Sequence, residues 1–533
     1  MTRSLTRRQG NVLVALVAAL TMALNLLWAS DAYSKPKPDP GSGDFTEIQL
    51  LSVNDFHGNL EPVNVGLKRC QTAGGAAYLD AYLDLYEQQN PDGTIRVHSG
   101  DMVGGSPLIS SYFDDEPTIE AMNLMGFDVG TLGNHEFDEG EKLLRNQLND
   151  ADFPYVSANV VYADTGELVL DPYTIVEQDG VKIGFIGVTT PETEDIVLAE
   201  AVEPFDYLDI SDSVDRYVPE LQAQGVETIV VLAHSGGTQS GKTATGEIIT
   251  ETQQMSDEVD VVISGHSHSF LNTTVDGKLV VQSYSYGTAF ADVNLTIDPA
   301  TGDVVDATAD VIRTCTNNVQ PDAELAALVA EYQEQIAPIA NEVIGTAATD
   351  IRRASTTAGE SALGDLIADA QLAATGADFA FMNPGGIRSD IQAGEVTYGE
   401  LFAVQPFENG LVTMELTGEQ IYRLLEQQFR ADGSTWILQV SGLEYTYNPS
   451  NPEGQRITSV TLPDGSALDP TATYTVAVNG FLATGGDGFT VFEEGQNVQT
   501  AGGDLEALVA YIQSLDQPFT APDPFADPRI TIG

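Results

Sequence analysis

Gly133-Asn134-His135-Glu136-Phe137-Asp138 decides how this chain reads. The block follows a short apolar run, Asp128–Leu132, so an amide, an imidazole and two carboxylates gather where a strand is expected to end. Loops at strand ends are where α/β scaffolds place function. The arrangement recurs along the first half of the chain. Ile48–Val53 precedes Asn54-Asp55-Phe56-His57-Gly58-Asn59, and Thr94–Val97 precedes Gly100-Asp101. Thr228–Leu232 precedes His234, and Val259–Ile263 precedes Gly265-His266-Ser267-His268. These runs, with Val181–Val188, are rich in Val, Ile and Leu, which suits strands buried on both faces. All six histidines fall between His57 and His268. Imidazole, carboxylate and amide oxygen suit zinc, manganese or Fe(II), and a pattern without cysteine speaks against a structural zinc site. One such block is commonplace, whereas five in series define a metal site followed by a metal-free region. His98 lies inside a run, three residues before Asp101, and reads as a structural histidine.

The Gly133–Asp138 and Asn54–Asn59 blocks resemble the calcineurin-like metallophosphoesterases, and within them the 5′-nucleotidase family. The resemblance covers roughly residues 46 to 530. It implies an α/β fold: a four-layer αββα metallophosphoesterase sandwich followed by a separate α/β substrate-binding domain. It also implies two divalent metal ions, of Zn, Mn, Fe, Co or Mg. Asp55, His57 and His268 would hold one, Asn134, His234 and His266 the other, and Asp101 would bridge them. Some relatives carry an amide residue where His268 stands. His135 would face substrate, oriented by Asp138, as the catalytic pair. Two cations about 3.5–4 Å apart can clamp the attacking and leaving oxygens of a phosphate ester and lower the pKa of bound water.

From Gly345 onward the chain has no histidine and no lysine, and from residue 346 only seven arginines. Arg352, Arg353 and Arg388 therefore stand out as phosphate ligands, since the guanidinium fork donates two parallel hydrogen bonds. Arg388 closes Asn383-Pro384-Gly385-Gly386-Ile387-Arg388, where glycines let backbone approach a ligand. The family resemblance supports Arg388 and one of Arg352 and Arg353, with Arg353 favoured. It also implies that Phe407 and Phe481 sandwich a base, that Asp487 accepts from ribose hydroxyls and that Asn383 bonds the nucleoside. Base stacking of this kind is worth about 1–3 kcal/mol per base.

The activity implied is release of phosphate from nucleoside 5′-monophosphates. UDP-sugars, nucleoside di- or triphosphates and 2′,3′-cyclic nucleotides are alternative substrates, although Asp138 leans away from the cyclic ones. A thiosulfate-carrier hydrolase fits less well because the nucleoside-type Phe and Asp motifs are present. A non-catalytic surface binding protein is the alternative from another class, and the intact ligand set argues against it.

The 533 residues carry 22 basic and 79 acidic side chains, a net charge of −57. That disfavours a general nucleic-acid-polymer or anionic-membrane binder, and the nucleotide partner is what the family resemblance implies. Oligomeric state is not legible. Arg3, Arg7 and Arg8, an apolar run from Val12 to Trp28 and the small residues Ala29, Ser30, Ala32 and Ser34 read as an export signal over residues 1–34. An uncleaved anchor is the alternative, and Arg7-Arg8 is a weak twin-arginine signal. Residues 35–45 read as a linker. No later stretch is apolar enough to span a membrane, so an exported protein of the periplasm, cell surface or medium is expected. Residues 46–315 form the first domain and 345–533 the second. Residues 316–344 contain a helical pattern, with Leu325, Leu328, Val329, Tyr332 and Ile336 on one stripe and Pro338 ending or kinking it. It reads as a bridge, and a packed core helix of either domain fits the periodicity nearly as well. Cys70 and Cys315 are compatible with one disulfide or with two buried thiols.

Overall fold

The structure is a computed structural model that describes residues 45–430 and 433–533. The export signal at 1–34 and all but the last residue of the linker lie outside the described residues. Four strands open the first domain: β1 (Thr46–Val53), β2 (Thr94–His98), β3 (Val129–Thr131) and β4 (Tyr155–Val156). They run parallel in that order. Six later strands build a second sheet: β5 (Tyr173–Gln178), β6 (Val181–Thr189), β7 (Thr228–His234), β8 (Val261–Ser264), β9 (Phe270–Val275) and β10 (Lys278–Ser283). Its order is β9-β10-β8-β7-β6-β5, with β5 and β9 antiparallel at the edges. Then β11 (Ala289–Ile297) and β12 (Val304–Arg313) return to complete the first sheet as β12-β11-β1-β2-β3-β4.

Side chains alternate across a strand, and here both faces are apolar. In β1, Ile48 and Leu50 face the second sheet and share a core with Val230 and Ile263. Leu51 and Val53 face outward onto α1 (Ala76–Glu87) and α2 (Glu116–Leu124), packing with Leu79 and Met122. In β7, Val230 and Leu232 face inward, whereas Ile229 and Val231 meet α3 (Ile210–Gln222) and α4 (Glu247–Gln254). Helix, sheet, sheet, helix is the expected four-layer sandwich.

The bridge is α5 (Ala323–Ala340), started by Asp322, whose Oδ1 accepts from the Glu324 and Leu325 amides at 2.9 Å. Pro338 does not stop it; the helix runs two residues further. Leu325, Val329 and Ile336 are buried in a core that also holds Leu51 of the first domain and Leu401 and Phe402 of the second. Cys70 and Cys315 are joined in a disulfide, Cα atoms 5.3 Å apart, across 245 residues of chain. The bond ties the hairpin at 63–73 to the segment that leads into α5.

The second domain is a five-stranded sheet flanked by helices. In chain order its strands are β13 (Phe379–Met382), β14 (Gly410–Thr417), β15 (Gln439–Ser441), β16 (Thr473–Asn479) and β17 (Gln496–Gly503). They lie as β15-β13-β16-β14-β17. One face packs on α6 (Ala362–Thr375) and α7 (Asp504–Ser514). The segment before α6 holds a buried acid pair. Glu360 accepts from the Arg529 and Ile530 amides at 2.8 and 3.0 Å, and Asp365 lies against it. Burial pushes the Asp365 carboxyl up to about 8, the Glu360 carboxylate adds to the rise, and Arg529 pulls against it. Two adjacent buried carboxyls cannot both ionise cheaply, so the folded chain keeps a proton that the unfolded chain releases near 3.8. The contribution of this site to stability therefore falls as pH rises from about 4 to about 8. Asp365→Asn should flatten that slope. Thermal unfolding at pH 5 and pH 8 should show a smaller loss for the variant than for the parent, and equal losses would refute the assignment.

Candidate active site

The ligand-type residues converge on the carboxyl edge of both sheets. Asp55 and His57 follow β1, Asp101 follows β2, Asn134 and His135 follow β3, His234 ends β7, and His266 and His268 follow β8. Asp55, His57, Asp101, Asn134 and His234 are each at most 2% exposed. Asp55, His57, Asp101, His266 and His268 all have left-handed backbone, with φ between 47° and 74°. Such conformations cost about 1–3 kcal/mol each in non-glycine residues and cluster where function requires them. Close approach also demands glycine at 133, because a Cβ there would lie 2.2 Å from Asp101 Oδ1.

Among the described residues donor atoms meet in overlapping groups, two of which hold the expected ligands, while a third joins His57, Asp101 and His135. In the first, His57 Nε2 lies 3.0 Å from His268 Nε2 and 3.6 Å from Asp101 Oδ2, and His268 Nε2 lies 3.3 Å from Asp55 Oδ1. In the second, His234 Nε2 lies 3.1 Å from both Asp101 Oδ2 and Asn134 Oδ1, and His266 Nδ1 lies 2.9 Å from Asn134 Oδ1. Asp101 belongs to both. The residues present fit divalent metal ions on two further counts. The Nδ1 atoms of His57 and His234 sit 2.8 and 2.9 Å from the Gly104 and Ser99 carbonyls, so Nδ1–H donates there and leaves each Nε2 lone pair toward the cluster. Burial keeps His57 well below the ordinary histidine range, in the neutral form a metal needs. At His234 burial acts in the same direction, but the Asp101 carboxylate overrides it and raises the group to about 9. That is a local demand for positive charge.

His135 donates its backbone N–H to Asp101 Oδ1 at 2.9 Å, and its Nδ1 lies 2.7 Å from Asp138 Oδ2. Burial disfavours its charged form, and the Asp138 and Asp101 carboxylates more than compensate, so His135 titrates above its ordinary value. The ring stacks on Phe407 at 5.7 Å and 13°. That contact joins the two domains across a cleft of about 570 Å³. From the first domain Asp101, Asn134, His135, His266 and His268 line it; from the second, Asn383, Arg388, Phe407, Phe481 and Asp487. Arg388 lies 5.7 Å from the Phe407 ring centre. Asn383 donates to Asp487 Oδ2 at 2.8 Å. Burial raises Asp487 to about 6, with Asn383 and Arg430 pulling it back.

Arg352 and Arg353 are not brought to this cleft. Arg352 pairs with Asp350 at the surface. Arg353 is held to the back of the Asn383–Arg388 loop, its amide donating to Asp390 Oδ1 and its Nη1 to the Ile387 carbonyl, where it lines a second cavity of about 590 Å³. His98 is structural: it is fully buried among the Phe127, Phe153 and Tyr155 rings, and burial lowers it to about 3.

Other residues of the site carried no role in the sequence. Glu136 accepts from the Asp101, Met102 and Gly133 amides, which ties the loop after β2 to the loop after β3. Its place inside the Gly133–Asp138 block was the available signal. Trp436 and Glu192 line the cleft, and Glu192 Oε2 is 3.8 Å from His266 Nε2. Neither stands in a pattern that marks it.

The sandwich, the shared carboxylate and the cleft define a metal-dependent phosphoester hydrolase. Comparison with known proteins places it more closely. Residues 48–270 match the calcineurin-like phosphoesterase model and residues 343–494 the 5′-nucleotidase C-terminal domain model. Cell wall protein Lmo0130 of Listeria monocytogenes is 36% identical over 94% of this chain and 70% of its own length. Endonuclease YhcR of Bacillus subtilis is also 36% identical, over 92% of this chain, which spans only 41% of that relative. The crystal structure of a 5′-nucleotidase precursor from Thermus thermophilus superposes with a TM-score of 0.81 at 30% identity, covering 91% of this chain and 99% of the other. The chain belongs to the 5′-nucleotidase family.

Proposed function

We propose that this protein is an exported 5′-nucleotidase with two divalent ions that releases phosphate from nucleoside 5′-monophosphates. The observation that carries the reading is a single cleft in which the metal-ligand cluster faces Arg388, Phe407, Phe481 and Asp487. Asp55, His57 and His268 would hold one ion, Asn134, His234 and His266 the other, with Asp101 common to both. Ions so placed supply Lewis acidity toward a phosphoryl group and an acidified water. His135, kept charged by Asp138, holds a proton for the leaving oxygen. Arg388 offers its fork to the phosphoryl oxygens. Phe407 and Phe481 hold the base, Asp487 accepts from ribose hydroxyls, and Asn383 donates to the nucleoside.

Export rests on residues 1–34 and is supported by the name of the Listeria relative. Among the described residues no helix is long and apolar enough to cross a membrane. A hydrolysis panel read by chromatography of the products tests the substrate: nucleoside 5′-monophosphates, UDP-sugars, nucleoside triphosphates, 2′,3′-cyclic nucleotides and single-stranded DNA, each with and without chelator. The expected result is chelator-sensitive hydrolysis with the highest kcat/KM for the monophosphates. A preference for the polymer would put this chain with the endonuclease relative instead, and activity indifferent to chelation would remove the metal mechanism.

A further inference from the structure

Asn479 ends β16 and is 1% exposed. Its side-chain contacts form one chain, apart from a 3.7 Å contact of Nδ2 with Met382 Sδ. Oδ1 accepts from the Leu482 amide at 2.9 Å and so caps the short helix Gly480–Ala483, which carries Phe481. Nδ2 donates to Asn383 Oδ1 at 3.0 Å. Asn383 then donates from Nδ2 to Asp487 Oδ2. The direction of this chain is dictated at both ends. A backbone N–H can only donate, so Asn479 must meet Leu482 with its oxygen and turn its amino group to Asn383. Asn383 must answer with its own oxygen. Its amino group is then the end that faces Asp487, whose ionised carboxylate can only accept.

We infer that Asn479 is a positioning residue for the nucleoside: it locks Asn383 with N–H toward the cleft and seats the helix that bears Phe481. One N–H of Asn383 goes to Asp487, and the second is left for the ligand. The ligand atom that meets Asn383 is therefore an acceptor. This role rests on the nucleotide reading above.

Two variants separate the tasks of Asn479. Asn479→Asp and Asn479→Ser both keep an oxygen to cap Leu482. The aspartate cannot donate to Asn383, and the serine is too short to reach it. Steady-state kinetics would be measured on a nucleoside 5′-monophosphate and on p-nitrophenyl phosphate, which has no nucleoside. For the nucleotide, KM should rise about tenfold, the effect of one misdirected buried hydrogen bond, with kcat little changed. For the aryl phosphate both constants should stay at parent values, which also shows that the variants fold. A nucleotide-active enzyme whose variants keep the parental KM, or lose equally on both substrates, would overturn this role alone. An enzyme that cleaves the aryl phosphate and no nucleoside monophosphate would overturn the nucleotide reading, and this role with it.

Discussion

Asp101→Asn is expected to lower kcat/KM by at least about a thousandfold and to strip metal from the purified protein. Asp101 reaches both donor groups, with Oδ2 3.1 Å from His234 Nε2 and 3.6 Å from His57 Nε2. Its Oδ1 also accepts the His135 amide. The asparagine keeps the shape but loses the anionic charge that draws cations into this buried cluster. Lewis-acid stabilisation at such centres is worth several kcal/mol, and about 1.4 kcal/mol is a factor of ten. Kinetics beside elemental analysis of the dialysed protein would check both parts. A variant that retained full metal and near-parental turnover would refute the proposed bridging role of Asp101.

His135→Gln should be nearly as severe, for a different reason. His135 is held by Asp138 and stacked on Phe407, so the imidazole has little freedom to turn. A positioned proton donor contributes about 10²–10⁴ in rate. The loss should appear in kcat for nucleoside monophosphates, whose leaving alkoxide is poor. It should shrink sharply with p-nitrophenyl phosphate, whose leaving group departs without a proton. Equal losses on both substrates would mean that His135 serves phosphoryl charge and not the leaving oxygen.

The strand framework was legible because β1, β2, β6, β7 and β8 are runs of apolar residues with chemistry at their carboxyl ends. Burial on both faces requires the first, and a cleft at the sheet edge requires the second. For the same reason all seven expected ligands meet. What sequence could not show depends on contacts between distant residues. Arg352 and Arg353 are neighbours in the chain, and the path of the loop that follows them sends neither into the cleft. The Asn479–Asn383 bond joins residues 96 apart, and the Cys70–Cys315 bond joins residues 245 apart. Neither pairing has a local signature. Pro338 lies in the final turn of α5, and the helix runs on to Ala340 where an end or a kink was expected.

One wall of the cleft comes from residues before α5 and the other from residues after it. The ligand-type cluster is thus written before α5, and Arg388, Phe407, Phe481 and Asp487 after it. If the proposed nucleoside contacts hold, grafting residues 345–533 of another family member onto the first 344 is expected to change which nucleotide is accepted while the metal-ligand cluster stays in place. Evolution, or a laboratory screen, could then retune the appetite of this enzyme without rebuilding its engine.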